Sequence, residues 1–348
     1  MRSPQLFCLS LLLCSAAAVT QDDMLKPATQ LQKYASLVGT WEGSGTVIDA
    51  PSAPANEWTA KSTYQWVLGG HFLRQDMSVD FDEQGTLLFR NFYGWDRETQ
   101  SYMLFETSNM GTAEAIELHW PAEDTMVHTS TGVEGGQLSV KRWISKIRGN
   151  TLTFSCQQAL GESDFFLHAR GEMKQTSKTV SMVKLVDAAF MPEIIIAAEK
   201  IKPLSGMIGS YKMKGWMIEP GQPKTDISGI QIVKLLFGGT LIELEMKGDP
   251  MPNMPARESW GCIAWDDHKQ SYTSFRLSND GEIVIDECRI VTDNKLIMTT
   301  ARLHQGQPIA GHSVMELGAN GQITKLYAEG ILAAGEPQRI FEAVYTKQ

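Results

Sequence analysis

Six side chains in the first quarter of the chain have the types and spacing to line a chemically competent pocket. Trp58, Ser62, Tyr64 and Trp66 fall on one face of an alternating run, and His71 and Gln75 fall on the matching face of the next. A histidine beside a phenol or a hydroxyl can move protons. Polar groups set in an aromatic wall also suit a small, mostly apolar ligand with a few polar handles. The same residues fit a filled interior in which the histidine is simply hydrogen-bonded. Binding of a small apolar molecule is the leading expectation. A filled barrel acting as a structural or interaction module of the cell envelope is the alternative, and a haem-binding or hydrolytic barrel comes behind both.

Other chemistries find less support. Asp96 and Asp266 recur in equivalent settings, but each opens a short polar turn, where an aspartate accepts backbone N–H bonds. Gly69-Gly70 and Gly238-Gly239 read as tight hairpins rather than phosphate cradles, because no helix start follows them. The seven histidines are scattered and the cysteines show no close pair, so no metal site is expected. There is no nucleophile elbow and no recognisable Ser/His/Asp order. The chain is read as more a binder than an enzyme, with no cofactor.

Strands must position these side chains. Turns rich in glycine, aspartate and asparagine recur every eight to twelve residues, with β-branched and aromatic runs between them. From Trp58 to Leu68, and again over His71, Leu73, Gln75, Met77 and Val79, alternation with period two separates an inner from an outer face. The expected fold class is all-β, with two tandem antiparallel barrels of about eight to ten strands, each preceded by a short helix. Those helices are read over Asp23 to Tyr34 and Met191 to Ile201, each lying across one mouth of its barrel.

The tandem arrangement comes from an internal echo. Trp95-Asp96…Gln100-Ser101-Tyr102 returns 170 residues later as Trp265-Asp266…Gln270-Ser271-Tyr272. That spacing is domain-sized, far beyond a solenoid repeat. Leu68-Gly69-Gly70 pairs with Phe237-Gly238-Gly239, and Leu37-Val38-Gly39 with Leu204-Ser205-Gly206. The expected units are a signal peptide over residues 1–20, a first barrel over 24–183, a helical connector over 184–203 and a second barrel over 204–348. At the second barrel's equivalent positions stand Gln231, Val233, Leu235, Thr240 and Leu244, a more apolar lining.

Composition bounds the rest. With 43% hydrophobic residues, 20% charged residues and nine tryptophans, the chain is globular. Its net charge of −9 and lack of a Lys/Arg cluster exclude a nucleic-acid binder. Arg2, the apolar run Leu6 to Leu13 and Ala16-Ala17-Ala18 form a signal peptide, so the protein is expected to be exported to the periplasm or beyond. The run is too short to span a membrane, and Leu13 before Cys14 disfavours lipoprotein processing. Cys156, Cys262 and Cys288 then remain. Cys262 and Cys288 could form a disulfide, or all three could be buried thiols. Oligomeric state is not readable.

Leu37-Val38-Gly39-Thr40-Trp41-Glu42-Gly43, Leu68-Gly69-Gly70-His71-Phe72-Leu73 and Tyr93-Gly94-Trp95-Asp96 to Tyr102 resemble, in order and spacing, the domain-of-unknown-function family 1579. The resemblance implies a lipocalin-type, or calycin, barrel. Gly39-Thr40-Trp41 is similar to the Gly-x-Trp opening of lipocalins, whose tryptophan closes the barrel floor. The second copy departs from the pattern, with Gly206-Met207-Ile208 for Gly-x-Trp and Thr240 for His71. His168 is similar in placement to the late-strand haem histidine of nitrobindin-like barrels, but alternation groups it with Arg170 and Glu172 on a solvent face.

Overall fold

A computed structural model describes residues 26–81, 85–134, 136–181, 183, 185, 192–218, 223–250, 256–267, 269–292, 294–304, 307–332 and 338–348. The expected signal peptide lies outside the described residues. The first barrel comprises β1 (Gly39–Val47), β2 (Asn56–Val67), β3 (Phe72–Asp80), β4 (Thr86–Asp96), β5 (Ser101–Ser108), β6 (Ala113–Ala122), β7 (Thr125–Glu134), β8 (Gln137–Arg148), β9 (Thr151–Leu160) and β10 (Phe166–Ser177). The second comprises β11 (Gly209–Met217), β12 (Thr225–Leu236), β13 (Leu241–Gly248), β14 (Glu258–Asp266), β15 (Ser271–Ser278), β16 (Ile283–Thr292), β17 (Lys295–His304), β18 (Gln307–Leu317), β19 (Ile323–Leu332) and β20 (Gln338–Lys347).

Each strand pairs antiparallel with its sequence neighbours, and β1–β10 and β11–β20 pairs close the two barrels. Closure removes the edges that a meander of this length would otherwise expose. Ten strands per barrel is two more than the roughly eight of a lipocalin. Among the described residues, no helix is long and apolar enough to cross a membrane.

A helix plugs one end of each barrel. In the first it is a 3-10 helix, Thr29–Leu37, which overlaps the helix expected over Asp23 to Tyr34, continues past it to Leu37 and buries Leu31, Tyr34 and Leu37. Tyr34 packs its ring against Tyr93, Tyr102 and Trp120. In the second, the α-helix Pro192–Ile201 runs into a 3-10 turn, Lys202–Met207.

The repeated Trp-Asp…Gln-Ser-Tyr hairpin holds these plugs. The Tyr102 hydroxyl donates to Gln30 O at 3.2 Å and the Tyr272 hydroxyl to Lys200 O at 2.9 Å. Each tyrosine meets its tryptophan edge to face. Asp96 Oδ1 accepts from the Glu98 N–H and Asp266 Oδ1 from the Lys269 N–H, the turn role expected of them.

The floor register differs from the sequence alignment at one place. β1 begins at Gly39 and β11 at Gly209, so Trp41 corresponds to Tyr211 and not to Ile208. Trp41 Nε1 donates to Leu37 O at 2.7 Å, and the Tyr211 hydroxyl donates to Met207 O at 2.8 Å. One aromatic donor ties strand to plug in both copies. The Leu-x-Gly match at Leu204 was a coincidence three residues out of register.

The barrels pack side by side through the outer faces of β3–β5 and β13–β15. Phe72, Phe92 and Phe105 meet Trp260, Cys262, Phe275 and Leu277, with Phe92 and Trp260 rings 4.2 Å apart. At the centre Arg90 pairs with Asp76 at 2.8 Å and crosses to Glu243 at 2.5 Å, while Trp260 Nε1 donates to the same Glu243 oxygen. Burial works against the Arg90 charge, but the two carboxylates outweigh it and hold its pKa above the ordinary value.

The two barrels point in opposite directions. The β5–β6 turn lies at the unplugged end of the first barrel, and a Cβ added at its Gly111 would meet Ala197 on the plug of the second at 2.6 Å. Conversely, a Cβ at Gly281 in the β15–β16 turn would lie 2.9 Å from His71 Nδ1, at the plugged end of the first barrel. Asn109 and Asn279 brace these turns identically. Asn109 bonds Leu88 N and Thr86 O, and Asn279 bonds Glu258 N and Ala256 O.

Of the two alternatives for the cysteines, the structure shows buried thiols, with no Cys262–Cys288 bridge. Cys262 pairs with Phe275 and Cys288 with Tyr272. Phe275 and Tyr272 are an odd number of residues apart on β15, so the two sulfurs lie on opposite faces of one sheet. Burial pushes the Cys262 thiol up to about 12 and the Cys288 thiol higher still.

Candidate functional site

The interior of the first barrel contains a closed polar cluster with Gln75 as its hub. Gln75 Nε2 donates to the Tyr64 hydroxyl at 2.8 Å and to Ser62 Oγ at 3.1 Å. Gln75 Oε1 accepts from Asn91 Nδ2 and from the Tyr93 hydroxyl, both at 3.0 Å. Antiparallel register brings these residues together, since Tyr64 pairs with Gln75, Gln75 with Asn91, and Tyr93 lies two residues further on the same face. Burial pushes the Tyr64 and Tyr93 hydroxyls up, so both stay protonated, Tyr93 donating to Gln75 and Tyr64 accepting from it.

These groups are spent on one another. Replacing Gln75 with leucine should strand the hydroxyl and amide groups around it and destabilise the protein by about 2 kcal/mol. Urea unfolding of Q75L checks this, and stability within about 0.5 kcal/mol of the parent would contradict the assigned hub role.

His71 does not join the cluster. Leu68, Gly69 and Gly70 all have positive φ and His71 itself is helical at φ −75°, so alternation cannot be carried across the turn from β2 to β3. The imidazole is buried against Gly281 of the second barrel instead. Thr240 sits likewise, outside β13 in the equivalent turn at φ −81°. Leu235, expected inside, is 44% exposed at the plugged end, where its counterpart Trp66 is half-buried. Trp58 is inside, stacked on Phe154 with ring centroids 5.5 Å apart. Its indole fills the space left by Gly45 and Gly171, where an added Cβ would lie 2.3 Å from the ring. Gln231, Val233 and Leu244 face the second barrel's interior.

Beyond Gln75, toward the unplugged end, the register aligns a second set of side chains on the inner face. Asn91 pairs with Glu106 and Glu106 with Glu114. Leu118 pairs with His128, His128 with Trp143, and Trp143 with Cys156. Lys141 lies two residues from Trp143 on the same face. Met77, Phe89, Glu106, Glu114, His128, Lys141, Trp143 and Phe154 all keep partial solvent accessibility although their faces point inward. The residues around Gln75 do not.

Glu106 shows what that setting does. Burial, reinforced by the Glu114 carboxylate and opposed by Lys141, pushes its pKa from 4.5 up to about 7. It is deep among neighbours yet keeps accessible surface, which is the condition of a group lining an internal space. His128 stacks on Trp143 at 6.1 Å, and burial lowers its pKa to about 4, so it is neutral at physiological pH.

The second barrel is built differently at the same positions. Arg276 replaces Glu106, pairing with Val284 where Glu106 pairs with Glu114. Met298 replaces His128 and Ser313 replaces Trp143. Among the described residues, no cluster of His, Cys, Asp or Glu could hold a metal ion. His168 lies in a bulge of β10, its Nδ1 2.8 Å from Ile48 O, so that ring nitrogen is committed to the β1 backbone.

There are also two open clefts, and of this set only Phe154 lines either, in the second of them. One of about 450 Å³ sits beside the first plug between Lys33, Ser36, Trp120 and Asp124, and one of about 370 Å³ lies over β1, β9 and β10 at Thr46, Thr153 and Arg170. Neither is lined by the Gln75 cluster or by Glu106.

Residues 26–143 match a family described as a protein of unknown function, DUF1579. Among solved structures, Rv2717c from M. tuberculosis is 15% identical with a TM-score of 0.33, covering 43% of this chain and 99% of its own. A Nostoc punctiforme protein of unknown function from the DUF3598 family is 10% identical with a TM-score of 0.27, covering 92% of this chain and 99% of its own. No curated protein matches the chain.

Proposed function

We propose that this is an exported binding protein whose first barrel takes a small, mostly apolar ligand through its unplugged end. The observation that carries this reading is the contrast along one interior. Around Gln75 the side chains are buried and satisfied, whereas Phe89, Glu106, His128, Trp143 and Phe154 point inward with accessible surface remaining. An aromatic wall with a few convergent polar groups is the composition of a ligand site. Trp58 belongs to that wall, and Ser62, Tyr64 and Gln75 form its floor. Export rests on the leader sequence.

The test is titration with N-phenyl-1-naphthylamine, a neutral apolar fluorophore. Saturable quenching of tryptophan emission is expected, weakened several-fold by Trp143→Ala and unchanged by His71→Ala. Quenching that Trp143→Ala leaves intact would move the site elsewhere. Absence of saturable binding would favour the filled-barrel reading, in which the protein is an interaction module.

A further inference from the structure

On the reading that the first barrel is a ligand pocket, we propose that its ligand is an amphiphilic organic cation. Its protonated amine would sit on Glu106, and its apolar body would lie against Trp143 and Phe154.

Charge balance and hydrogen bonding point the same way. Two carboxyls, Glu106 and Glu114, stand directly opposite each other on β5 and β6, an arrangement that like charges disfavour. A single lysine, Lys141, reaches Glu106 from β8. His128, being neutral, adds no charge. Among the described side chains, this part of the inner surface therefore holds one carboxyl more than it holds cations. Glu106 is enclosed by neighbouring residues yet makes no hydrogen bond among the described residues, although a buried carboxylate ordinarily has several. A ligand ammonium would supply both the missing charge and the missing donors. Trp143 and Phe154, whose rings are 6.0 Å apart, lie on the inner faces of β8 and β9, and aromatic faces attract cations as well as apolar groups.

The second barrel serves as an internal control. With Arg276 in place of Glu106 and Val284 in place of Glu114, the same site would repel an amine.

Octylamine, octanol and octanoate share one chain and differ in head group, so their competition with the naphthylamine probe isolates the charge. Octylamine is expected to displace it at least about tenfold more tightly than octanol, with octanoate weakest. Glu106→Gln should bring octylamine to the level of octanol while leaving octanol unchanged. A second arm needs no variant. Glu106 is faced by Asn91 and Tyr93 on β4, Glu114 on β6 and Lys141 on β8, and its own pKa is raised to about 7. Octylamine affinity for the parent protein should therefore rise between pH 5.5 and 8, while octanol affinity stays flat. If octanol or octanoate competes as well as octylamine, or the preference survives in E106Q, the cation assignment is overturned while the pocket stands. If the naphthylamine probe itself does not bind, the pocket reading falls and takes the cation assignment with it.

Discussion

Replacing Glu106 with glutamine should make the protein more stable at pH 8 and leave its stability unchanged at pH 4. The carboxyl titrates near 4.5 in the unfolded chain and near 7 in the barrel. Below pH 4.5 both states hold the proton and nothing is lost. Between 4.5 and 7 the unfolded chain releases a proton that the folded state keeps, so stability falls as pH rises. Above 7 both are ionised and the full cost is present. That shift corresponds to roughly 2–3 kcal/mol once water in the lumen is allowed for. Denaturant unfolding of parent and E106Q at the two pH values measures it, and equal stability at pH 8 would contradict the placement of Glu106. On the proposed reading, that cost is carried by a ligand site and not by the fold.

Arg90→Met should have a larger and different effect. It leaves Asp76 and Glu243 buried without their shared cation at the centre of the contact between barrels. Removing one partner from such a group typically costs about 3–5 kcal/mol. Arg74 remains 3.3 Å from Asp76 and is also attracted by Glu243, which moderates the loss. Because the cost falls on the contact between barrels, the variant should unfold in two resolved transitions where the parent unfolds in one. The triple variant Arg90→Met, Asp76→Leu, Glu243→Leu removes every stranded charge and should recover most of the loss. A single transition with an unchanged midpoint for R90M would show that the apolar rings around it dominate.

Much of the architecture is legible in the sequence. The 170-residue echo fixed the duplication, and the alternation of Leu73, Gln75, Met77 and Val79 gave the inner face of β3 correctly. Alternation failed where the chain left the β region. Four consecutive residues from Leu68 to His71 are non-extended, so His71 lost its phase although Gln75 kept it. It failed for a second reason on β5, where Tyr102, Leu104 and Glu106 face inward and Met103 and Phe105 face the other barrel. With both faces apolar, nothing in Tyr102-Met103-Leu104-Phe105-Glu106 singles out the glutamate. Lys141 was hidden the opposite way, because a lysine beside Arg142 reads as solvent-facing although it points inward. A signal did exist for the bracing asparagines. Ser108-Asn109-x-Gly111 and Ser278-Asn279-x-Gly281 are 170 residues apart, the same interval as the tryptophan hairpin.

The head-to-tail packing of the barrels, with Gly111 on one plug and Gly281 beside the other, sets a limit on traffic. The two openings look out from opposite poles of the molecule. On the reading that a barrel takes a ligand through its unplugged end, a bilayer, a cell wall or a partner protein at one pole would serve one barrel and leave the other facing bulk solvent.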